Sequence, residues 1–81
     1  MELRYKRLHD LREDHDLTQK ALAEKLGLHP VQYNRYETGA RELPISVLIQ
    51  LAKFYNTSTD YLLELTDDPA PPAAHVIYPK K

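Results

Sequence analysis

The sequence predicts an all-α domain of five short helices within 81 residues. Three observations carry that prediction. Apolar residues recur at spacings of three and four along most of the chain, the period of one helix face. Residues that start and stop helices stand at the right intervals between those stretches. Strand patterning is nearly absent: only His75-Val76-Ile77-Tyr78 could form a strand, and it follows a proline-rich spacer.

The first helix is expected over residues 3–14, where Leu8 and Leu11 share a face with Arg4 and Tyr5 one turn back. Thr18 is a good N-cap for the second. Leu17 before it can pack on Leu22 as a hydrophobic staple. Leu22, Ala23 and Leu26 form its inward face, and Gly27 ends it in the left-handed region. The third helix follows His29, with Pro30 at the first helical position, where a missing N–H costs nothing. Leu28 and Tyr33 repeat the staple spacing, Tyr33 and Tyr36 make the apolar face, and Gly39 closes the helix after Thr38. The fourth runs from Pro44 to about Tyr55 on Val47, Leu48, Leu51, Ala52 and Tyr55. The fifth is a turn or two capped by Ser58, with Asp60 in its first turn and Tyr61, Leu62 and Leu63 as its apolar content. The expected core is Leu8, Leu11, Leu22, Ala23, Leu26, Tyr33, Tyr36, Leu48, Leu51, Ala52 and Leu62.

Length and composition bound the function. The chain fits one domain. Cysteine is absent, so there is neither a disulfide framework nor a thiolate metal site. No apolar run is long enough to cross a bilayer, and the charged first seven residues have no apolar stretch behind them, so no membrane or signal segment is expected. The expected address is the cytoplasm. Four of the six prolines lie from Pro69 onward. The expected division is therefore a compact domain over residues 1–67 and a Pro/Ala-rich tail over 68–81. That tail has three readings: a disordered stub, an apolar anchor or added strand through Val76-Ile77-Tyr78, or a polyproline ligand at Pro69-x-x-Pro72.

The formal net charge is -1. Phosphate binding rests on Lys and Arg, so this balance counts mildly against nucleic acid. A DNA-binding reading requires cations gathered on one face and acids turned away from it. The stretch His9-Asp10, Glu13-Asp14-His15-Asp16 is a candidate metal cluster, since His9 and Glu13 are four apart. A closed site needs three or four convergent ligands, however, and a solvated acidic face is the default. No nucleophile motif, phosphate loop or H-E-x-x-H is present, so neither an enzyme nor a cofactor is expected.

Residues 17–39 are the informative stretch. Two short helices are joined by the tight turn Gly27-Leu28-His29, and Ala23 lets them approach closely. Such a unit can lay its second helix in a DNA major groove while the first crosses the backbone. The outward positions of that second helix suit base edges: Gln32 can pair bidentately with adenine, Arg35 with guanine, and Val31 can touch a thymine methyl. The interleaved Tyr33 and Tyr36 could stack on bases, but their spacing fits core better.

The pattern Arg12, Leu17-Thr18-Gln19, Leu22-Ala23, Leu26-Gly27, Arg35-Tyr36-Glu37-x-Gly39, Leu51-Ala52 and Ser58-x-Asp60-Tyr61-Leu62-Leu63 resembles the XRE family of phage-repressor-like regulators. The resemblance covers about residues 3–65. It implies a five-helix lambda-repressor-like domain with its helix-turn-helix at helices 2 and 3. It also implies a two-fold homodimer on double-stranded operator DNA. By that resemblance Gln19 braces the recognition helix and binds phosphate. His29, Val31, Gln32 and Arg35 read bases, and Asn34, Thr38 and Arg41 lie near the DNA backbone. Arg12 and Glu37 form an ion pair tying helix 1 to the end of helix 3. The chain departs from the family's pattern at His29-Pro30-Val31, where small polar residues are common. The implied function is sequence-specific transcriptional regulation: repression or autoregulation at a palindromic operator. The rival reading is a protein-interaction module, such as the antitoxin of a toxin–antitoxin pair, which the near-neutral charge favours.

Overall fold

The structure, a computed structural model, describes residues 5–72. It holds five helices: α1 Lys6–Asp14, α2 Gln19–Leu26, α3 Pro30–Thr38, α4 Ile45–Tyr55 and α5 Thr59–Leu62. No strand occurs among the described residues. The all-α fold class is as the sequence predicts. The segment Val76-Ile77-Tyr78, and with it the expected strand or anchor, lies outside the described residues.

Side chains begin three of the helices. Thr18 Oγ1 accepts from the Ala21 N–H at 3.0 Å and Ser58 Oγ from the Tyr61 N–H at 2.9 Å. His29 caps α3 with its ring, Nδ1 accepting from the Val31 N–H at 3.1 Å, and Pro30 follows as the first helical residue. Each cap satisfies a donor that the first turn leaves without a helical partner. α4 begins one residue later than expected, with Pro44 as the residue flanking its start.

Each helix ends at or just before a residue in the left-handed region: Asp16, Gly27, Gly39, Asn56 and Glu64. After four of them the chain folds back on the finished helix. Leu17, Leu28, Thr57 and Leu65 donate backbone N–H groups to Arg12, Ala23, Ala52 and Asp60 at 2.8–3.0 Å. This bond satisfies a terminal carbonyl and turns the chain toward the next helix.

The core is Leu8, Leu22, Ala23, Leu26, Tyr33, Tyr36, Val47, Leu51, Ala52 and Leu62. Two expected members, Leu11 and Leu48, are only partly buried and pack against it, while Val47 takes the inward place on α4. Val47 and Leu51 are four apart and share the face turned to the body. Leu48 sits one step round the helix, where it lines an apolar groove with Ile45, Ile49, Pro71 and Pro72. α2 packs chiefly on α3 and α4 on α5, and α1 and α4 flank the α2–α3 pair.

Arg7 clamps the end of the domain onto α1. Its Nη1 donates to the Tyr61 and Thr66 carbonyls at 2.9 and 2.8 Å, its Nη2 lies 3.3 Å from Asp67 Oδ1, and its guanidinium stands 4.2 Å over the Tyr61 ring. Beyond Asp68 the chain stays on the body, where Thr57 Oγ1 donates to the Pro69 carbonyl at 2.7 Å.

Candidate nucleic-acid interface

α3 divides sharply by face. Tyr33, Tyr36 and Glu37 are buried, with Tyr33 and Glu37 at 0% and 1% exposure, while Val31, Gln32, Asn34 and Arg35 are exposed. The helix is therefore held from beneath by two rings and a carboxylate and shows its other side to solvent. Residues 31 and 35 are one turn apart, as are 32 and 35, so the exposed side chains form one patch. Arg41, in the loop after α3, joins it: Gln32, Arg35, Tyr36, Arg41 and Glu42 line a shallow concavity. The Arg41 N–H donates to the Arg35 carbonyl at 3.1 Å, which fixes that loop against the end of α3. Neither Arg35 nor Arg41 takes part in an ion pair among the described residues.

Beneath this patch lies a buried polar network centred on Glu37. Arg12 reaches it in fork geometry, Nε to Oε2 and Nη2 to Oε1, both at 3.0 Å. The remaining terminal nitrogen, Nη1, donates to the Leu17 carbonyl at 2.8 Å. One guanidinium thus ties α1, the α1–α2 turn and the end of α3 together. Gln19, at the start of α2, donates from Nε2 to Glu37 Oε1 at 3.1 Å, and its Oε1 accepts from Asn34 Nδ2 at 3.0 Å. The chain of contacts runs from the buried carboxylate through half-buried Gln19 to exposed Asn34.

The network controls its own charge states. Burial alone would raise the Glu37 carboxyl, but hydrogen bonds from Arg12 and Gln19, the Arg12 charge and the neighbouring Tyr33 hydroxyl outweigh it and hold it below the usual range. Arg12 is raised in turn, chiefly by its hydrogen bond to Glu37. The Tyr33 hydroxyl is buried beside Glu37, with its contact outside standard hydrogen-bond geometry, and desolvation with that neighbouring carboxylate pushes it well up. Desolvation, with a smaller push from Glu37, raises Tyr55 to about 12. At neutral pH the ion pair is intact and both tyrosines are neutral.

The remaining residues singled out from the sequence are placed as follows. His29 is exposed, but one ring nitrogen is committed to capping α3. Thr38 is half-buried, its hydroxyl 3.4 Å from the Arg35 carbonyl. His9 lies 3.1 Å from Glu13 Oε2 and 3.4 Å from Asp10 Oδ1, and among the described residues no three ligand-type side chains converge to hold a metal. Among these residues no helix is long and apolar enough to cross a membrane. Two contributors were not legible as such: the Arg7 clamp, and the Tyr36 hydroxyl, which accepts from Gln32 Nε2 at 3.0 Å. The only sequence signal for the second was a spacing of four.

Comparison with known proteins identifies the family. Residues 8–62 match the helix-turn-helix family. Three relatives are from Bacillus subtilis strain 168. The uncharacterized HTH-type transcriptional regulator YobD is 46% identical over 65 residues, covering 80% of this chain and 58% of the relative. The HTH-type transcriptional regulator ImmR is 41% identical over 58 residues, 72% of this chain and 46% of the relative. The uncharacterized HTH-type transcriptional regulator YqaE is 40% identical over 53 residues, 65% of this chain and 46% of the relative. The chain thus spans roughly half the length of these relatives. No solved structure matches it.

Proposed function

This chain belongs to the XRE-type helix-turn-helix family, and from that premise we propose that it is a sequence-specific DNA-binding transcriptional regulator rather than an enzyme. The observation that carries the proposal is the two-sidedness of α3. A helix anchored by Tyr33, Tyr36 and Glu37 presents Val31, Gln32 and Arg35 as a rigid reading edge. Arg35 suits guanine, Gln32 adenine and Val31 a thymine methyl. The free ring nitrogen of His29 stands at the entry of the same helix. Arg41, Asn34 and Thr38 flank the edge and, with Gln19, meet phosphates; Gln19 and Asn34 arrive already hydrogen-bonded to each other.

The regulator acts as a repressor or autoregulator, as a two-fold homodimer on a palindromic operator. Half-sites then lie about 34–36 Å apart, one helical turn of DNA. The homodimer accounts for apolar surface left open on one protomer, including Leu63 and Leu65 after α5. Selection of bound sites from a random duplex library tests the reading. A symmetric site with that spacing is expected; recovery of no preferred sequence would refute it.

The near-neutral charge favours one rival, a protein-interaction module of antitoxin type. Salt separates the two. With Arg35 and Arg41 of each protomer as the cations at the interface, operator binding should weaken with a log–log salt slope of roughly -2 to -4. A mainly apolar protein interface would show almost none.

A further inference from the structure

The Tyr36 ring is 7% exposed and packed in the core, yet its hydroxyl touches the reading edge. Gln32 Nε2 donates to it at 3.0 Å, one turn away on α3. The ring is a fixed point, because both core packing and the helix backbone hold it. Gln32 is otherwise a long exposed side chain free to sample many rotamers. The contact tethers that side chain at its tip.

The chemistry of the tether is selective. A primary amide has two N–H donors and one carbonyl acceptor. Bonding to Tyr36 uses one N–H. The other N–H and Oε1 remain, and together they match the N7 acceptor and N6–H donor that adenine shows in the major groove. A tyrosine that accepts from the amide also turns the nitrogen toward itself, so the carbonyl is left to face the groove. Phenylalanine at position 36 would fill the same space in the core and supply none of this.

We infer that Tyr36 is a positioning residue for specificity: it holds the Gln32 amide with its carbonyl and one N–H presented to an adenine, and so sets the preference at one base pair of the site. This rests on the DNA-reading function proposed above. The gain is the ordering cost of one long side chain, which corresponds to roughly two- to tenfold in discrimination at that position.

The test compares wild type, Tyr36→Phe, Gln32→Ala and the double variant in the full chain. Two quantities are read: the Gln32 side-chain amide resonances without DNA, and affinities for duplexes carrying each base pair at the Gln32-dependent position of the selected site. In Tyr36→Phe the Gln32 amide is expected to lose its distinct shift while the backbone spectrum stays native. Preference for A·T at that one position falls roughly two- to tenfold. Affinity for unrelated DNA stays within about twofold, and the double variant behaves as Gln32→Ala. An unchanged preference in Tyr36→Phe, a loss spread evenly over all positions, or a loss that persists in the Gln32→Ala background overturns the positioning role and leaves DNA reading standing. A wild-type chain with no preferred site overturns both. Gln32→Glu gives an independent check on an exposed position. Its carboxylate accepts from the Tyr36 hydroxyl and cannot donate, so the preferred base there should change from adenine to cytosine. Retained adenine preference in that variant counts against the inference.

Discussion

Glu37 is a carboxylate taken out of water near the end of a helix whose other face is open to solvent. Its cost is met by the fork from Arg12 and the bond from Gln19. Removing one partner strands the other charge in the interior, so Arg12→Met or Glu37→Gln should cost about 3–5 kcal/mol. Urea unfolding at pH 7 measures this. Replacing both at once should cost less than the sum of the two. The Glu37 carboxyl is held down in the folded state, so its contribution is complete above the unfolded value of about 4.5 and disappears as pH falls through the lower folded value. Stability measured from pH 6 to pH 2 should therefore drop less in Glu37→Gln. The buried tyrosines act at the other end. Tyr33 and Tyr55 are raised, so their contribution is present below about pH 10 and is lost as pH rises toward the folded values, near 12 for Tyr55. Tyr55→Phe should flatten that alkaline loss; equal slopes in wild type and variant between pH 9 and 11 would argue against burial of the hydroxyl.

Helix boundaries follow one device with different residues. Gly27 and Gly39 end α2 and α3 in the left-handed region, where glycine has no Cβ penalty. A Cβ on Gly27 would meet nothing within 4 Å, so Gly27→Ala is strained by its backbone alone and should cost about 1–2 kcal/mol. Asp16, Asn56 and Glu64 adopt the same conformation with side chains. Aspartate and asparagine tolerate it through local hydrogen bonding, glutamate less so. Glu64→Gly should accordingly raise stability by about 0.5–1 kcal/mol, read as a shift in melting temperature of the whole chain. At the other end of α2, Thr18→Ala removes the cap on Ala21 and should cost about 1 kcal/mol. The glycines announced their helix ends in the sequence. The other three did not, because residue type only weakly biases the left-handed state and the fold-back bond that pins it is made after the helix exists.

Across the described residues α3 sits on a small core with one face open to solvent, and Arg7 ties the start of α1 to the segment after α5. That clamp joins α1 to the segment after α5 through two carbonyls, a carboxylate and an aromatic face. Arg7→Ala should loosen residues 61–67 preferentially, seen as faster amide exchange there than in α2 and α3. The acidic stretch of α1 is solvated and locally paired, with Lys6 4.0 Å from Asp10 and His9 beside Glu13. Arg35 and Arg41 stand on the exposed side of α3 and its following loop. A net charge of -1 is therefore compatible with the DNA-binding function proposed for that side, because placement rather than the sum sets the local field.

The sequence by itself determined the helix count, the helix-turn-helix, most of the core and the inward tyrosines. These features depend on periodicity and capping within a dozen residues, and such signals are local. Tertiary structure decided the rest: Val47 rather than Leu48 turned inward, Arg7 closing on Tyr61 and Thr66, Gln19 shared between Glu37 and Asn34, and Gln32 bound to the Tyr36 hydroxyl. Each depends on where a side chain's tip lies once the helices have packed. No local pattern encodes that, since the same spacing places a side chain on a face without choosing its partner.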